Sequence, residues 1–187
     1  MNARVPEKED LLWCIGPPLL ESLSKLLPES PDSDLDRALG YYRERFSRVG
    51  LFENEIYSGI TEMLRTLFEE GYNLFVASSK PEVFVRRILD HFELSPFFQN
   101  SYGSLLDGTY ADKADLIAHV LREEELSAND SLMIGDRMHD VIGARANRVG
   151  TVGVFYGFGS EAELRDAGAD HLVGSPEDLL SLLMKLK

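Results

Sequence analysis

The stretch from Ser131 to Ala144 constrains the fold of this 187-residue chain more than any other. It reads SLMIGDRMHDVIGA, in which a short apolar run is followed by Gly135, two aspartates and a helical pattern. A strand that ends at Gly-Asp places its first carboxylate, Asp136, at the carboxyl end of a sheet, where open α/β folds bind ligands. If the chain is already helical there, Asp136 and Asp140 lie on one helix face. The two aspartates predict a magnesium site. The alternative is that Asp140 is an ordinary acidic residue in the first turn of a helix.

The composition excludes several classes of protein. Hydrophobic residues make up 44% of the chain, which is enough for a packed core, so we do not expect disorder. No apolar run approaches the length of a membrane span, and we expect no membrane association. The formal net charge of −13 argues against nucleic acid as a general partner, because phosphate backbones would be repelled over most of the surface. Cys14 is the only cysteine and cannot form an intrachain disulfide, which favours the cytoplasm.

Two parts of the chain differ in their periodicity. Residues 1–57 carry apolar residues at helical spacing on both sides of a turn rich in Pro, Ser and Asp, which predicts a small helical unit. In residues 58–187, short apolar runs alternate with helical patterns. That alternation predicts an α/β fold, a Rossmann-like parallel sheet with helices on both faces. Strands are expected at 73–77, 97–102, 132–134, 151–155 and 171–173.

A group of polar residues follows the strand expected at 73–77. Ser78, Ser79 and Lys80 come directly after it, and Pro81 suits the first turn of the next helix. A serine hydroxyl and the free amides of a helix start form a natural cradle for phosphate. The simpler alternative is that one of the two serines only caps the helix. A small phosphorylated metabolite is compatible with the acidic chain, because a few cations can reverse the potential inside one cleft.

Two further cations are candidates for an anion site. Lys113 follows Asp112, a possible helix N-cap, and a lysine there is unfavourable against the helix dipole, so an anionic neighbour would explain it. Arg137 lies between Asp136 and Asp140 and can pair with them or with a substrate. The sequence contains no Ser-His-Asp ordering, nucleotide-binding glycine fingerprint or zinc-type Cys/His cluster.

Taken in order, these stretches resemble the haloacid-dehalogenase-like (HAD) hydrolases, most closely their phosphoglycolate-phosphatase-like branch. The resemblance covers nearly the whole chain and is carried by SSKP at 78–81, Lys113, IGDRMHDVIGA, VGVFYGFG and GADHLV. It implies a Mg2+-dependent phosphatase that hydrolyses a small phosphate monoester, phosphoglycolate-like or a nucleoside monophosphate, through an aspartyl-phosphate. It also implies that residues 1–57 form a small helical cap over the substrate and that 58–187 form the core.

The resemblance assigns roles to individual residues. Ser78 matches the residue that binds the transferring phosphoryl group, and Lys113 matches the lysine that stabilises the phosphorylated intermediate. Asp136 and Asp140 match the acidic motif that holds magnesium, with Asp136 as the direct ligand. On their positions alone, the candidate phosphate-binding set is completed by Ser79, Lys80 and Arg137.

One motif of the family is missing from this sequence. The family begins with a central strand ending in Asp-x-Asp-x-Thr, whose first aspartate attacks phosphorus and whose second is the general acid and base. Asp10, the one candidate in the first twelve residues, lies in a charged run rather than a strand. We therefore expect a core without its central first strand and a chain that shows no turnover by itself. Either a segment upstream of Met1 supplies the nucleophile, or the chain is a truncated or inactive form that binds a phosphorylated ligand or partner. The oligomeric state is open.

Overall fold

The computed structural model describes residues 6–7, 9–28 and 30–186. The chain divides into two compact units, Met1–Asn54 and Glu55–Lys187. Residues 1–5, 8 and 29, which belong to the cap expected at 1–57, lie outside the described part of the chain. None of the described helices combines the length and the apolar composition needed to cross a membrane.

The regular secondary structure of the first unit is entirely helical in the residues that the structure describes. A 3-10 helix, Glu9–Cys14, precedes α1 (Leu19–Leu26) and α2 (Asp32–Arg48), and a second 3-10 turn spans Gly50–Phe52. The guanidinium of Arg45 binds the Glu53 carboxylate with two hydrogen bonds of 2.7 and 2.8 Å, which tie the end of α2 to the turn after it. The role of this unit as a cap stays a prediction.

The second unit alternates helices and strands in the predicted order. Its elements are α3 (Ile60–Glu69), β1 (Phe75–Pro81), α4 (Glu82–His91), β2 (Asn100–Ser104), α5 (Lys113–Glu123), β3 (Leu132–Gly135), α6 (Met138–Ala146), β4 (Gly150–Val154), α7 (Glu161–Asp166), β5 (His171–Val173) and α8 (Pro176–Leu186). β2 begins later than expected because Ser95–Phe97 forms a 3-10 turn. The α/β fold with parallel strands is confirmed.

The strands form two parallel sheets. β1 pairs with β2, while the second sheet has the order β3-β4-β5. Within the described residues β1 and β3 are not paired with each other. The missing central strand stays a prediction. Leu132 and Ile134, on one face of β3, are 41% and 36% exposed. Met133, on the other face, packs against Ile117 of α5 and Ala144 of α6.

Packing in the core of the second unit places the first residues of two helices near the carboxyl ends of strands. Leu67 of α3, Val152 of β4 and Leu179 of α8 are almost completely buried in one cluster. Leu116 of α5 is fully buried against Tyr102 of β2 in another. Burying side chains of this size stabilises the fold by about 1.5–3 kcal/mol each. The packing orients α5 and α6 so that their first residues face the carboxyl ends of β1 and β3.

β1 is longer than the strand that the sequence predicts. It continues through Ser78 and Lys80 to Pro81, and its register with β2 shifts between Ser78 and Pro81. Proline favours an extended conformation in the residue before it, which keeps Lys80 in the strand. Pro81 is the N-cap of α4, without a side-chain hydrogen bond to the helix. The interpretation of Ser78 or Ser79 as a simple N-cap is therefore wrong.

Candidate functional site

The candidate residues gather where β1 and β3 end. Ser78 lies in β1, Asp136 follows β3 directly, and Lys113 and Asp140 stand in the first turns of α5 and α6. The carboxyl ends of parallel strands are the edge at which open α/β folds bind ligands.

Lys113 connects β1 with α6. Its Nζ donates a hydrogen bond of 2.9 Å to the carbonyl oxygen of Ala77, the residue before Ser78. The same Nζ lies 3.0 Å from Oδ1 of Asp140, and both side chains are nearly buried. Asp112 caps α5 as predicted, because its Oδ1 accepts hydrogen bonds from the first free amides of the helix. The anionic neighbour that the position of Lys113 required is therefore Asp140.

Asp140 has structural partners on both carboxylate oxygens. Oδ1 pairs with Lys113, and Oδ2 accepts a hydrogen bond of 3.2 Å from the backbone N–H of Arg137 at the start of α6. Gly135 lies so close that a Cβ at that position would overlap with the Asp140 side chain. The carboxylate thus caps its own helix and neutralises Lys113. A supporting role at a metal stays a prediction.

Asp136 is held by the loop that follows β4. Its Oδ2 accepts a hydrogen bond of 2.8 Å from the backbone N–H of Phe158. On either side of that residue, Gly157 and Gly159 approach so closely that a Cβ on either would overlap with Asp136 atoms. A carboxylate offers about four lone-pair sites, so one amide bond orients Asp136 and leaves it able to bind a cation.

The metal ligands available at Asp136 fit magnesium better than zinc. Mg2+ is usually bound through one or two carboxylates together with waters and substrate phosphate oxygens. Within the described residues, no cluster of three or more His, Cys, Asp and Glu side chains is arranged to hold a metal, whereas a structural zinc site needs four such ligands. At such a site Asp136 would supply one ligand to Mg2+, and water or phosphate oxygens would supply the others.

The β1 segment adds a hydroxyl and an ammonium. The Oγ of Ser78 accepts a hydrogen bond of 3.2 Å from the Lys80 N–H, and the Ser79 carbonyl accepts one of 3.1 Å from Ser104 Oγ. The Lys80 side chain reaches solvent, yet desolvation by its crowded surroundings lowers the pKa of its ammonium. The charge of Asp136 opposes this shift and that of Lys113 adds to it. The charges of Asp136 and Lys113 therefore both act on Lys80.

Arg137 has a partner on α7. Its Nε donates a hydrogen bond of 2.9 Å to Oε1 of Glu163, and the same oxygen accepts one of 2.9 Å from the Met138 N–H. Burial opposes the effect, but these hydrogen bonds hold the pKa of Glu163 below its ordinary value. The sequence left open whether Arg137 pairs with the neighbouring aspartates or with a substrate. The structure shows a further partner, Glu163. Contact with a substrate stays a prediction.

The sequence analysis missed two kinds of residue around Asp136. Tyr57 and Tyr156 pack edge to face with ring centroids 5.7 Å apart. Desolvation raises the pKa of Tyr156 to about 12, with a further contribution from the charge of Asp136. Glu163 carried a signal, since Ser-x-x-Glu is a capping pattern, and Ser160 Oγ does accept a hydrogen bond from the Glu163 N–H. That pattern predicts a helix start but not the contact with Arg137.

Comparison with known proteins identifies the family. A family model described as haloacid dehalogenase-like hydrolase matches residues 1–154. The chain is 48% identical over 160 residues to a 5'-nucleotidase of Pseudomonas aeruginosa, a match that covers 86% of this chain and 72% of that protein. It is 37% identical to the tyrosine-protein kinase PtkA of Mycobacterium tuberculosis. That match covers 85% of this chain but only 54% of PtkA.

Solved structures share the fold over almost the whole chain. The crystal structure of a predicted phosphatase from Clostridium acetobutylicum superposes with a TM-score of 0.92 at 39% identity, covering 97% of this chain and 84% of that one. The structure of Mycobacterium tuberculosis PtkA gives a TM-score of 0.79 at 32% identity, with coverages of 96% and 83%.

Proposed function

Because the chain belongs to the haloacid dehalogenase-like hydrolase family, we propose that it works as a Mg2+-dependent phosphatase of a small phosphate monoester. The observation that carries this proposal is the position of the Lys113 ammonium, between the Ala77 carbonyl and Asp140. Ser78 and Asp136 stand at the same strand ends. A magnesium ion held by Asp136 would offset negative charge on the phosphoryl oxygens.

Each residue has a distinct task in this proposal. An ammonium has three N–H donors, and the contacts of Lys113 with Ala77 and Asp140 account for two. In this proposal the third donates to a phosphoryl oxygen. Ser78 presents its hydroxyl to the same group, and Asp136 binds the metal. Asp140 balances the charge of Lys113 and holds the side chain in place.

The substrate class that we favour is a nucleoside monophosphate. The relative of 48% identity carries the name 5'-nucleotidase, whereas a phosphoglycolate-like ester rests on the resemblance of the motifs alone. A cytoplasmic location, without nucleic acid or membrane as partner, is part of the proposal. The net charge of −13 repels anions over most of the surface. A local cluster of cations can counteract this repulsion only within one cleft, which suits a small metabolite.

The covalent step needs a nucleophile that none of these residues supplies. Ser78 and Lys113 stabilise charge, and Asp136 is committed to the metal. Electrostatic stabilisation without covalent catalysis leaves the attack to water. We therefore expect the 187-residue chain to need an aspartate from another segment or chain.

Magnesium-dependent phosphate release tests this proposal. The assay compares the chain by itself with the chain preceded by an added strand ending in Asp-x-Asp-x-Thr, on a panel of nucleoside monophosphates, phosphoglycolate and glycerol phosphate. We expect release only from the extended form, greatest with a nucleoside monophosphate. Equal turnover by both forms would mean that another residue is the nucleophile. An extended form that folds but releases no phosphate from any ester would refute the phosphatase proposal.

Binding without turnover is a second candidate function. It is favoured by the division of the described strands into two sheets that do not pair with each other, because a site assembled across them would lack the placement within about 0.5 Å that catalysis requires. The same assay separates the two candidates. Binding of a nucleoside monophosphate by the chain without phosphate release from either form would support the second.

A further inference from the structure

The loop between β3 and α6 carries an arginine between two aspartates in the sequence. Arg137 follows Asp136 directly, and Asp140 stands three residues further on. The arginine fork matches a carboxylate with two parallel hydrogen bonds. A guanidinium bound in this way to Asp136 would occupy the lone pairs that a divalent cation needs, and its charge would repel the cation. An Arg137 guanidinium released from its partner on α7 would therefore compete with the metal for Asp136.

Glu163 binds this loop from α7. One of its oxygens, Oε1, lies 2.9 Å from Arg137 Nε and 2.9 Å from the Met138 amide nitrogen. The Arg137 and Glu163 side chains are only 13% and 24% exposed, so water screens the pair weakly. Glu163 itself is placed by the start of its helix, where Ser160 Oγ accepts its backbone N–H at 3.1 Å.

We propose that Glu163 is a positioning residue that draws the Arg137 guanidinium toward α7 and so keeps the Asp136 carboxylate available to a divalent cation. The inference rests on the proposed function, because the cation site is the one proposed there. Two features of the loop support it. The hydrogen bond to the Met138 amide fixes the backbone beyond Arg137, while the Phe158 amide fixes Asp136 from the other side. The aspartate and the arginine are therefore oriented by different elements, the β4–α7 loop and α7.

Manganese binding, followed by the loss of the free Mn2+ signal in electron paramagnetic resonance, tests this directly. For Glu163→Ala we expect affinity for Mn2+ to fall by about tenfold, the lower end of the loss for changes around a metal ligand, because the released guanidinium would compete for Asp136. In the double variant Glu163→Ala/Arg137→Ala the competing guanidinium is gone, so binding should return toward that of the unaltered chain. A role of Glu163 in folding alone would not be rescued by a second truncation.

Two further variants complete the test. Glu161→Ala, also on α7 and exposed, is the matched control and should bind Mn2+ as the unaltered chain does. Glu163→Gln keeps an oxygen for the Met138 amide and removes the charge, so it should fold normally and still weaken binding. Unchanged binding in Glu163→Gln, or no recovery in the double variant, would overturn this inference alone. Absence of Mn2+ binding by the unaltered chain would overturn the metal site of the proposed function as well.

Discussion

The Lys113 ammonium lies 3.0 Å from the Asp140 carboxylate, and the two side chains are only 9% and 12% exposed. This pair joins the first residue of α5 to the first turn of α6, and a hydrogen bond to the Ala77 carbonyl extends it to β1. A buried charge whose partner is removed is strongly destabilising. The same residues therefore serve the fold and the candidate site.

Lys113→Ala should reduce the free energy of unfolding by about 3–5 kcal/mol, because it leaves the Asp140 charge buried without its partner. The measurement is equilibrium unfolding in urea. Lys113→Ala/Asp140→Asn should recover part of the loss, since no uncompensated charge remains. Lys185→Ala, at an exposed position of α8, is the control and should change stability by less than about 0.5 kcal/mol. A small loss for Lys113→Ala, equal to that of the control, would contradict the importance of the pair.

Asp136→Asn should abolish most Mn2+ binding without unfolding the chain. The amide keeps an oxygen for the Phe158 N–H, which the carboxylate accepts at 2.8 Å, while the charge that attracts the cation is lost. Electron paramagnetic resonance of free Mn2+ gives the affinity and circular dichroism checks the fold. The matched control is Asp166→Asn, an exposed position at the end of α7. Equal Mn2+ affinity in both variants would remove the metal assignment.

Gly157→Ala should weaken Mn2+ binding by about 10–100-fold, the range for changes around a metal ligand. A Cβ at this position would overlap with the Asp136 carboxylate, so the side chain must move. Gly40→Ala is the contrasting variant, because a Cβ there meets no atom within 4 Å. Within α2 that change should raise the free energy of unfolding by about 0.5–1 kcal/mol. Normal Mn2+ binding by Gly157→Ala would show that Asp136 is not tightly held.

Asp170→Asn should change how stability depends on pH. Asp170 Oδ2 accepts hydrogen bonds from Thr151 Oγ1 at 2.7 Å and from Thr151 N at 2.8 Å, and these hold its pKa below the ordinary value despite partial burial. A lowered folded-state pKa adds stability above the unfolded pKa of about 3.9, and this contribution is lost as pH falls through the folded pKa.

Asp170→Asn should therefore be less stable than the unaltered chain at neutral pH, and the difference should narrow in acid. Urea unfolding across the acidic range, with Asp166→Asn as control, measures this. A stability difference that stays constant with pH would show that Asp170 contributes no pH-dependent stability.

Local patterns in the sequence determined much of the second unit. Alternating apolar runs and helical periodicity predicted the order of its strands and helices, because each depends on residues close together in the chain. The Gly-Asp turn after β3 and the Asp112 cap before Lys113 were predictable for the same reason. These signals also predicted that Ser78 and Asp136 lie near the carboxyl ends of their strands, although the two strands belong to different sheets in the structure.

Only the tertiary structure decided which side chains meet. Periodicity indicates the buried face of an element but not its partner, so the pairing of Arg137 with Glu163 and of Lys113 with Asp140 depended on how the helices pack. The extension of β1 through Ser78 likewise depended on pairing with β2, which no local pattern specifies. The division into two sheets has the same origin, because strand order is set by long-range packing across the core.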